Sequence, residues 1–108
     1  MDRVELLKLL WAIFLAEGGC KASVPFGYLP LKRHWQSGKI SFMTVMKRVA
    51  YELKLEFQKW QKACADGKTS FDFVRWLARV GYNANPKEWD QWENNVRHFL
   101  NLIEGVLK

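Results

Sequence analysis

Apolar residues recur every three or four positions between residues 42 and 64, with no glycine or proline among them. Side chains at this spacing share one face of an α-helix, so the pattern predicts a helix over residues 42–65. Lysine and arginine occupy much of the other face, as is typical of a helix packed on one side only. A short chain built around such a helix is expected to pack helix on helix. The apolar stripe consists of Phe42, Val45, Met46, Val49, Leu53, Phe57, Trp60 and Cys64.

The N-terminal segment carries a second helical pattern. Asp2 followed three residues later by Glu5 is a capping-box signature, which predicts that a helix begins here. The following residues are apolar on nearly every side of the helix, so we expect this helix to be central. Gly18-Gly19 ends it and leaves Glu17 in its last turn.

Two more helices are indicated in the C-terminal half. Thr69 or Ser70 opens the first of them, Val80 is its last inward residue, and Gly81 stops it. The Asn-Pro pair at positions 85–86 starts the second, because proline is favoured at the first helical position. Its apolar residues then repeat to the end of the chain.

The connection over residues 18–40 is rich in glycine and proline, which indicates a long loop. It has room for a brief extended piece at residues 24–29 and a short helix at residues 31–36. The sequence therefore predicts one domain, residues 1–108, that is all-α or mainly α with minimal β structure. We expect four main helices with a long loop after the first.

The chain is basic, with a net charge of +6 and a pI of about 9.5. This charge favours a polyanionic partner, whether nucleic acid, an anionic membrane or an anionic cell-wall polymer. The basic residues are scattered, which argues against a dedicated nucleic-acid arm. The apolar run at residues 6–16 is shorter than the roughly 20 residues of a membrane span. Asp2 and Glu5 also fit poorly in a signal peptide, so we interpret the run as a structural helix.

The two cysteines and two histidines do not suggest a metal centre. Cys20, Cys64, His34 and His98 match no zinc-binding spacing, and no cofactor is implied. A single disulfide is possible in an exported protein, and two buried thiols are expected in a cytosolic one.

Glu17 is the candidate catalytic residue. The helix dipole places partial negative charge at a helix C-terminus, and no cation stands among the immediate neighbours of Glu17. Both features, together with any burial, raise the pKa of a carboxylic acid. An acid that stays protonated near neutral pH can protonate a leaving oxygen, as glycosidic bond cleavage requires. Position alone favours the simpler interpretation of an exposed helix-end residue.

Three short stretches favour a catalytic role for Glu17 instead, because together they resemble the lysozyme-like lytic transglycosylases. AIFLAEGG at residues 12–19 is similar to the family's helix that ends in the catalytic glutamate. PFGY at residues 25–28 resembles the aromatic-glycine turn that follows it, and ARVGYN at residues 78–83 resembles the segment that closes the cleft. WENNV at residues 92–96 continues this likeness in the family's order.

The resemblance implies a peptidoglycan-cleaving domain with one catalytic carboxylate and no metal. Glu17 would protonate the oxygen between N-acetylmuramic acid and N-acetylglucosamine, and would then act as the base while an anhydro ring closes. The substrate-binding residues would be Phe26 and Tyr28 as an aromatic wall, with Gly27 in the turn between them. Tyr82 would form a hydrogen bond near the glutamate, and Asn83 would help to shape the cleft. Such a protein would be periplasmic, envelope-bound or phage-associated.

Two alternatives remain open at this point. One is a non-enzymatic helical module that binds nucleic acid or a protein through its basic faces, and the other is a lysozyme-like relative that binds glycan without cleaving it. Tyr82 and Asn83 are also compatible with a simple helix-ending turn, and Trp89 and Trp92 with core packing. No second carboxylate stands out, because the remaining candidates lie at predicted helix ends or first turns, where capping and dipole roles explain them. These candidates are Asp66, Asp72, Glu88, Asp90 and Glu93.

Overall fold

The N-terminal half of the computed structural model is organised around two long helices, each with a side-chain cap. The structure describes residues 1–83 and 85–108. Helix α1 spans Arg3–Ala16, and the capping box is present: the Glu5 amide donates to Asp2 at 2.8 Å, and the Asp2 amide donates to Glu5 at 3.4 Å. The short helix α2 spans Lys32–Gln36. Helix α3 spans Phe42–Ala65, which confirms the predicted bounds, and Ser41 caps it.

The C-terminal half departs from a simple pair of helices. Asp72 accepts a hydrogen bond from the Arg75 amide at 2.9 Å, so helix α4 (Phe73–Trp76) begins later than the predicted Thr69 or Ser70. The chain then widens into a π-helical turn, Leu77–Gly81. A 3₁₀ turn at Pro86–Glu88 leads into helix α5, Trp89–Leu107.

The loop after α1 consists of tight turns. Three 3₁₀ turns lie at Gly19–Lys21, Pro25–Gly27 and Leu29–Leu31. The expectation of an extended piece at residues 24–29 is therefore wrong, because the Gly27 and Tyr28 amides donate back to Val24 and Pro25 at 3.1 and 3.3 Å. No β-strand occurs in residues 1–83 and 85–108, so the coarse prediction of a mainly helical protein is confirmed.

One face of α1 forms the centre of the hydrophobic core, packed against α5 and α3. Its other face, however, leaves Val4, Leu7 and Trp11 exposed, so the helix is central on one side only. Val80 is exposed as well, contrary to its predicted inward position, because the wider π turn changes the helical register there. The buried core residues of the three helices include Leu9, Leu10, Ala12, Ile13, Phe14, Val45, Val49, Leu53 and Val96.

A buried carboxylate ties α5 to the segment before it. Glu93 is 5% exposed and accepts hydrogen bonds from Arg75 at 3.2 Å, from Arg97 at 3.0 Å and from Arg79. Burial opposes the ionisation of Glu93, but the three guanidinium groups outweigh it and lower the pKa of this carboxyl. Glu93 lies in the second turn of α5, so the expected role at a helix end or first turn is wrong.

Replacing Glu93 by glutamine should destabilise the protein by about 3 kcal/mol, because a buried carboxylate loses the charge that strengthens its hydrogen bonds from three arginines. The pKa of Glu93 is lower in the folded protein than in the unfolded chain. Its stabilising effect is therefore fully present at pH values above the ordinary carboxyl pKa and is lost as the pH falls through the folded-state pKa. Urea unfolding at pH 7 and at acid pH measures both effects.

The matched control is D90N, since Asp90 binds the same Arg79 from a side chain that is 88% exposed. D90N should change the urea midpoint little, because exposed ion pairs contribute little. Equal losses in E93Q and D90N would contradict the assigned role of Glu93.

Candidate active site

Glu17 lies at the C-terminal end of α1, where the helix meets α5. Its amide continues the helical pattern by donating to the Ile13 carbonyl at 2.9 Å, which holds the residue on the last turn. The indole Nε1–H of Trp92 donates to Glu17 Oε1 at 2.6 Å. Trp92 is buried in the first turn of α5, so the carboxylate of Glu17 is held by a side chain that is itself fixed by the core.

The turn at Gly27 lies directly against the same carboxylate. A Cβ atom at position 27 would overlap Glu17, at 2.5 Å from its Cδ and 3.0 Å from its Cγ. Gly27 also has a φ angle of +62°, which side-chain-bearing residues rarely adopt. Glycine is therefore required here for two reasons, the backbone conformation and the space that Glu17 occupies.

Tyr82 contacts both Trp92 and the Pro25–Gly27 turn. Its ring stacks on Trp92 with centroids 5.8 Å apart, and its hydroxyl donates to the Phe26 carbonyl at 2.5 Å. Burial, with the nearby negative charge of Glu17 adding to it, raises the pKa of Tyr82 well above its ordinary value. Tyr82 therefore stays a neutral hydrogen-bond donor and connects the π-turn segment to the Pro25–Gly27 turn.

Tyr28 forms part of a second polar group that includes a residue of α3. Its hydroxyl donates to Glu52 Oε1 at 3.3 Å and accepts from Arg48 Nε at 3.3 Å. The ring of Tyr28 lies 6.5 Å from that of Tyr82, centroid to centroid. The two tyrosines thus connect the α3 side of the site with the α5 side.

These groups surround an open cleft of about 910 Å³. Three carboxylates line it, those of Glu17, Glu52 and Glu88. Its other lining residues are Ala22, Ser23, Val24, Gly27, Tyr28, Leu29, Pro30, Gly81, Tyr82, Asn83 and Asn85. A cleft of this volume has room for several rings of an extended polar ligand.

The surroundings of Glu17 favour its protonated form more than those of an exposed glutamate do. Burial raises the pKa of the Glu17 carboxyl; the hydrogen bond from Trp92 opposes this shift, and the negative charge of Glu88 adds to it. The direction agrees with the expectation from the sequence, although the main cause is burial. The carboxylate is only half-buried and faces the cleft, so a proton held there can reach a ligand.

The structure brings most of the predicted site residues together. Glu17, Gly27, Tyr28, Tyr82 and Asn83 all line the cleft. The predicted role of Phe26 as a sugar-binding wall is wrong, because its side chain is 2% exposed and packs in the core against Phe14 and Phe42. Phe26 contributes only its backbone carbonyl, which accepts from Tyr82.

The sequence did not indicate the contacts that Trp92, Glu52 and Glu88 make in this region. Trp92 packs in the core as expected, but its indole also binds Glu17. Glu52 was not considered, and Glu88, which lies at the start of α5 as expected, also lines the cleft. Asn83 carries a side-chain nitrogen that is buried without a hydrogen-bond partner among the described residues.

The remaining chemistry-bearing residues do not form a site with these groups. Cys20 and Cys64 are free and exposed, so the alternative of two buried thiols is wrong. No group of three potential metal ligands occurs among residues 1–83 and 85–108. None of the helices in this part of the chain is long and apolar enough to cross a membrane.

Comparison with known proteins gives no further assignment, since no protein-family model, curated protein or solved structure matches the chain.

Substituting Gly27 by alanine should disturb the site more than the backbone conformation alone explains. Gly38 is the matched control, because its φ angle is +73° and nothing lies within 4 Å of the position of its Cβ. We expect G38A to cost about 1 kcal/mol of stability. G27A should cost roughly 2 kcal/mol more, because its methyl group displaces Glu17. Urea unfolding compares the two variants, and equal losses would contradict the close approach of Gly27 to Glu17.

Proposed function

We propose that this protein cleaves the glycan strand of peptidoglycan between N-acetylmuramic acid and N-acetylglucosamine, as a lytic transglycosylase. The observation that carries the proposal is a half-buried glutamic acid with a raised pKa, held by Trp92 and facing a cleft of about 910 Å³. The resemblance of residues 12–19, 25–28 and 78–83 to that family supports it, since these stretches meet around Glu17. We also propose that the helices are arranged as in the lysozyme-like fold.

The proposed reaction needs one acid that becomes a base. Glu17 donates its proton to the bridging oxygen while the bond from that oxygen to C1 of the muramoyl ring breaks. The C6 hydroxyl of the same ring then forms the new bond to C1, and its proton returns to Glu17. The glycan is cut, an anhydro ring is formed, and Glu17 ends in its starting state without consuming water.

The neighbouring groups support these two steps in different ways. The Trp92 indole binds Oε1 of Glu17, so the proton that is transferred is assigned to Oε2, the oxygen beside Gly27. The Tyr82 hydroxyl donates to the Phe26 carbonyl and so holds the Pro25–Gly27 turn beside Glu17, and Tyr28, which lines the cleft, can contact an apolar sugar face. Exposed lysines on α3 suit an anionic wall polymer; they are Lys47, Lys54, Lys59 and Lys62.

Replacing Glu17 by glutamine should lower the release of muropeptides from purified peptidoglycan by roughly 100-fold or more, because the amide cannot supply a proton. Glutamine keeps an oxygen that can accept from Trp92, so the fold should be retained. The control is E104Q, which alters an exposed glutamate paired with Lys8 on the α1–α5 surface and should keep full activity. Mass spectrometry of the products and circular dichroism of each variant give the two readouts.

The products distinguish the proposal from its alternatives. Anhydro ends support the lytic transglycosylase reaction, whereas reducing ends would indicate hydrolysis and contradict it. Binding to peptidoglycan with no release would favour a glycan-binding relative without activity. Salt-sensitive binding to DNA with no affinity for peptidoglycan would favour the non-enzymatic basic module.

A further inference from the structure

Glu56 is a buried carboxylate on α3 that has no part in the proposed reaction. It is 8% exposed, and its two oxygens have separate partners. Oε1 accepts from Lys59 at 3.2 Å, and Oε2 accepts from the Trp76 indole at 3.2 Å. A buried carboxylate is costly to maintain, so its position calls for a physical reason.

The same carboxylate lies against the end of the π-helical turn. A Cβ atom at Gly81 would overlap Glu56 Oε2 and would lie 2.9 Å from Cδ. Gly81 does not have a positive φ angle, unlike Gly27. The requirement for glycine at position 81 is therefore steric only, and Glu56 imposes it.

Gly81 is followed directly by the residues that line the cleft. The amides of Tyr82 and Asn83 both donate to the Leu77 carbonyl, at 2.9 and 3.0 Å, so the π turn determines where these two residues leave the helix. Tyr82 then stacks on Trp92, which binds Glu17. A continuous series of contacts thus runs from Glu56 to Glu17.

We infer that Glu56 is a positioning residue for the cleft: its carboxylate fixes the end of the π turn and thereby holds Tyr82 against Trp92 and above Glu17. The kinetic consequence of this inference rests on the proposed function. The structural consequence does not, because the Tyr82–Trp92 contact can be observed in the free protein.

The test compares E56A, E56Q, G81A and the double variant E56A/G81A with the wild type. The first readout is the ¹H–¹⁵N resonance of the Trp92 indole, which is sensitive to the ring of Tyr82 stacked on it. We expect this resonance to move in E56A and G81A and to stay near its wild-type position in E56Q, which keeps an acceptor for Trp76. G105A is the control for G81A, because nothing lies within 4 Å of a Cβ at position 105.

The double variant makes the test specific. Because the three atoms nearest to a Cβ at position 81 all belong to the Glu56 side chain, adding G81A to E56A should cause no further shift of the resonance. Additive shifts of the two substitutions, or an unmoved resonance in E56A, would overturn the inference.

The second readout is the rate of muropeptide release. E56A and G81A should lower kcat roughly 10-fold to 100-fold, because a small displacement of a positioned group has effects of this size. E56Q should keep kcat near that of the wild type, and G105A should leave it unchanged. A wild-type protein that releases nothing contradicts the proposed function alone, since the indole resonance still decides the role of Glu56. A lowered kcat in E56A with an unmoved resonance contradicts the positioning role.

Discussion

A hydrogen bond of 2.6 Å from the Trp92 indole to Glu17 joins the end of α1 to the beginning of α5. These two helices form the largest helix–helix contact among the described residues, and their packing buries Trp92 beside the core. Because the indole is fixed by that packing, the carboxylate it binds is fixed as well. The geometry of the cleft therefore depends on the same interactions that stabilise the fold.

The second feature on which the cleft depends is the close approach of two backbone turns to buried or half-buried carboxylates. Gly27 and Gly81 each lie where a methyl group would overlap a glutamate, Glu17 in the first case and Glu56 in the second. In both places the absence of a side chain lets a turn approach a charged group and exclude part of its water. Burial as a whole is the main cause of the raised pKa of Glu17. Glu93, by contrast, is buried among three arginines, and its pKa is lowered.

The sequence predicted those features that depend on local pattern. The bounds of α3 and the capping box of α1 follow from helical spacing and from side chains three residues apart, both visible along the chain. The sequence also placed Glu17 at the end of α1 and anticipated the direction of its pKa shift. Glu17, Gly27, Tyr28, Tyr82 and Asn83 line one cleft, but their catalytic or binding roles stay predictions.

Features that depend on distant partners were not predictable in this way. The burial of Glu56 and Glu93 requires Trp76 and Arg75, which reach them from other parts of the chain. The π turn also has no local signal in the sequence, since its widening moves Val80 outward against the helical pattern. Phe26 was assigned to the cleft through the resemblance of residues 25–28 to the aromatic-glycine turn of the lytic transglycosylases, yet its ring packs against Phe14.

The most direct test is a ¹³C NMR titration of the Glu17 side-chain carboxyl in the free protein. If Glu17 is the partly buried acid described above, its pKa lies above the ordinary glutamate value. The Trp92 indole resonance should follow the same titration, because the two groups share a hydrogen bond. A Glu17 pKa at or below the ordinary value, with an indole resonance insensitive to it, would contradict the role of Glu17 as a proton donor.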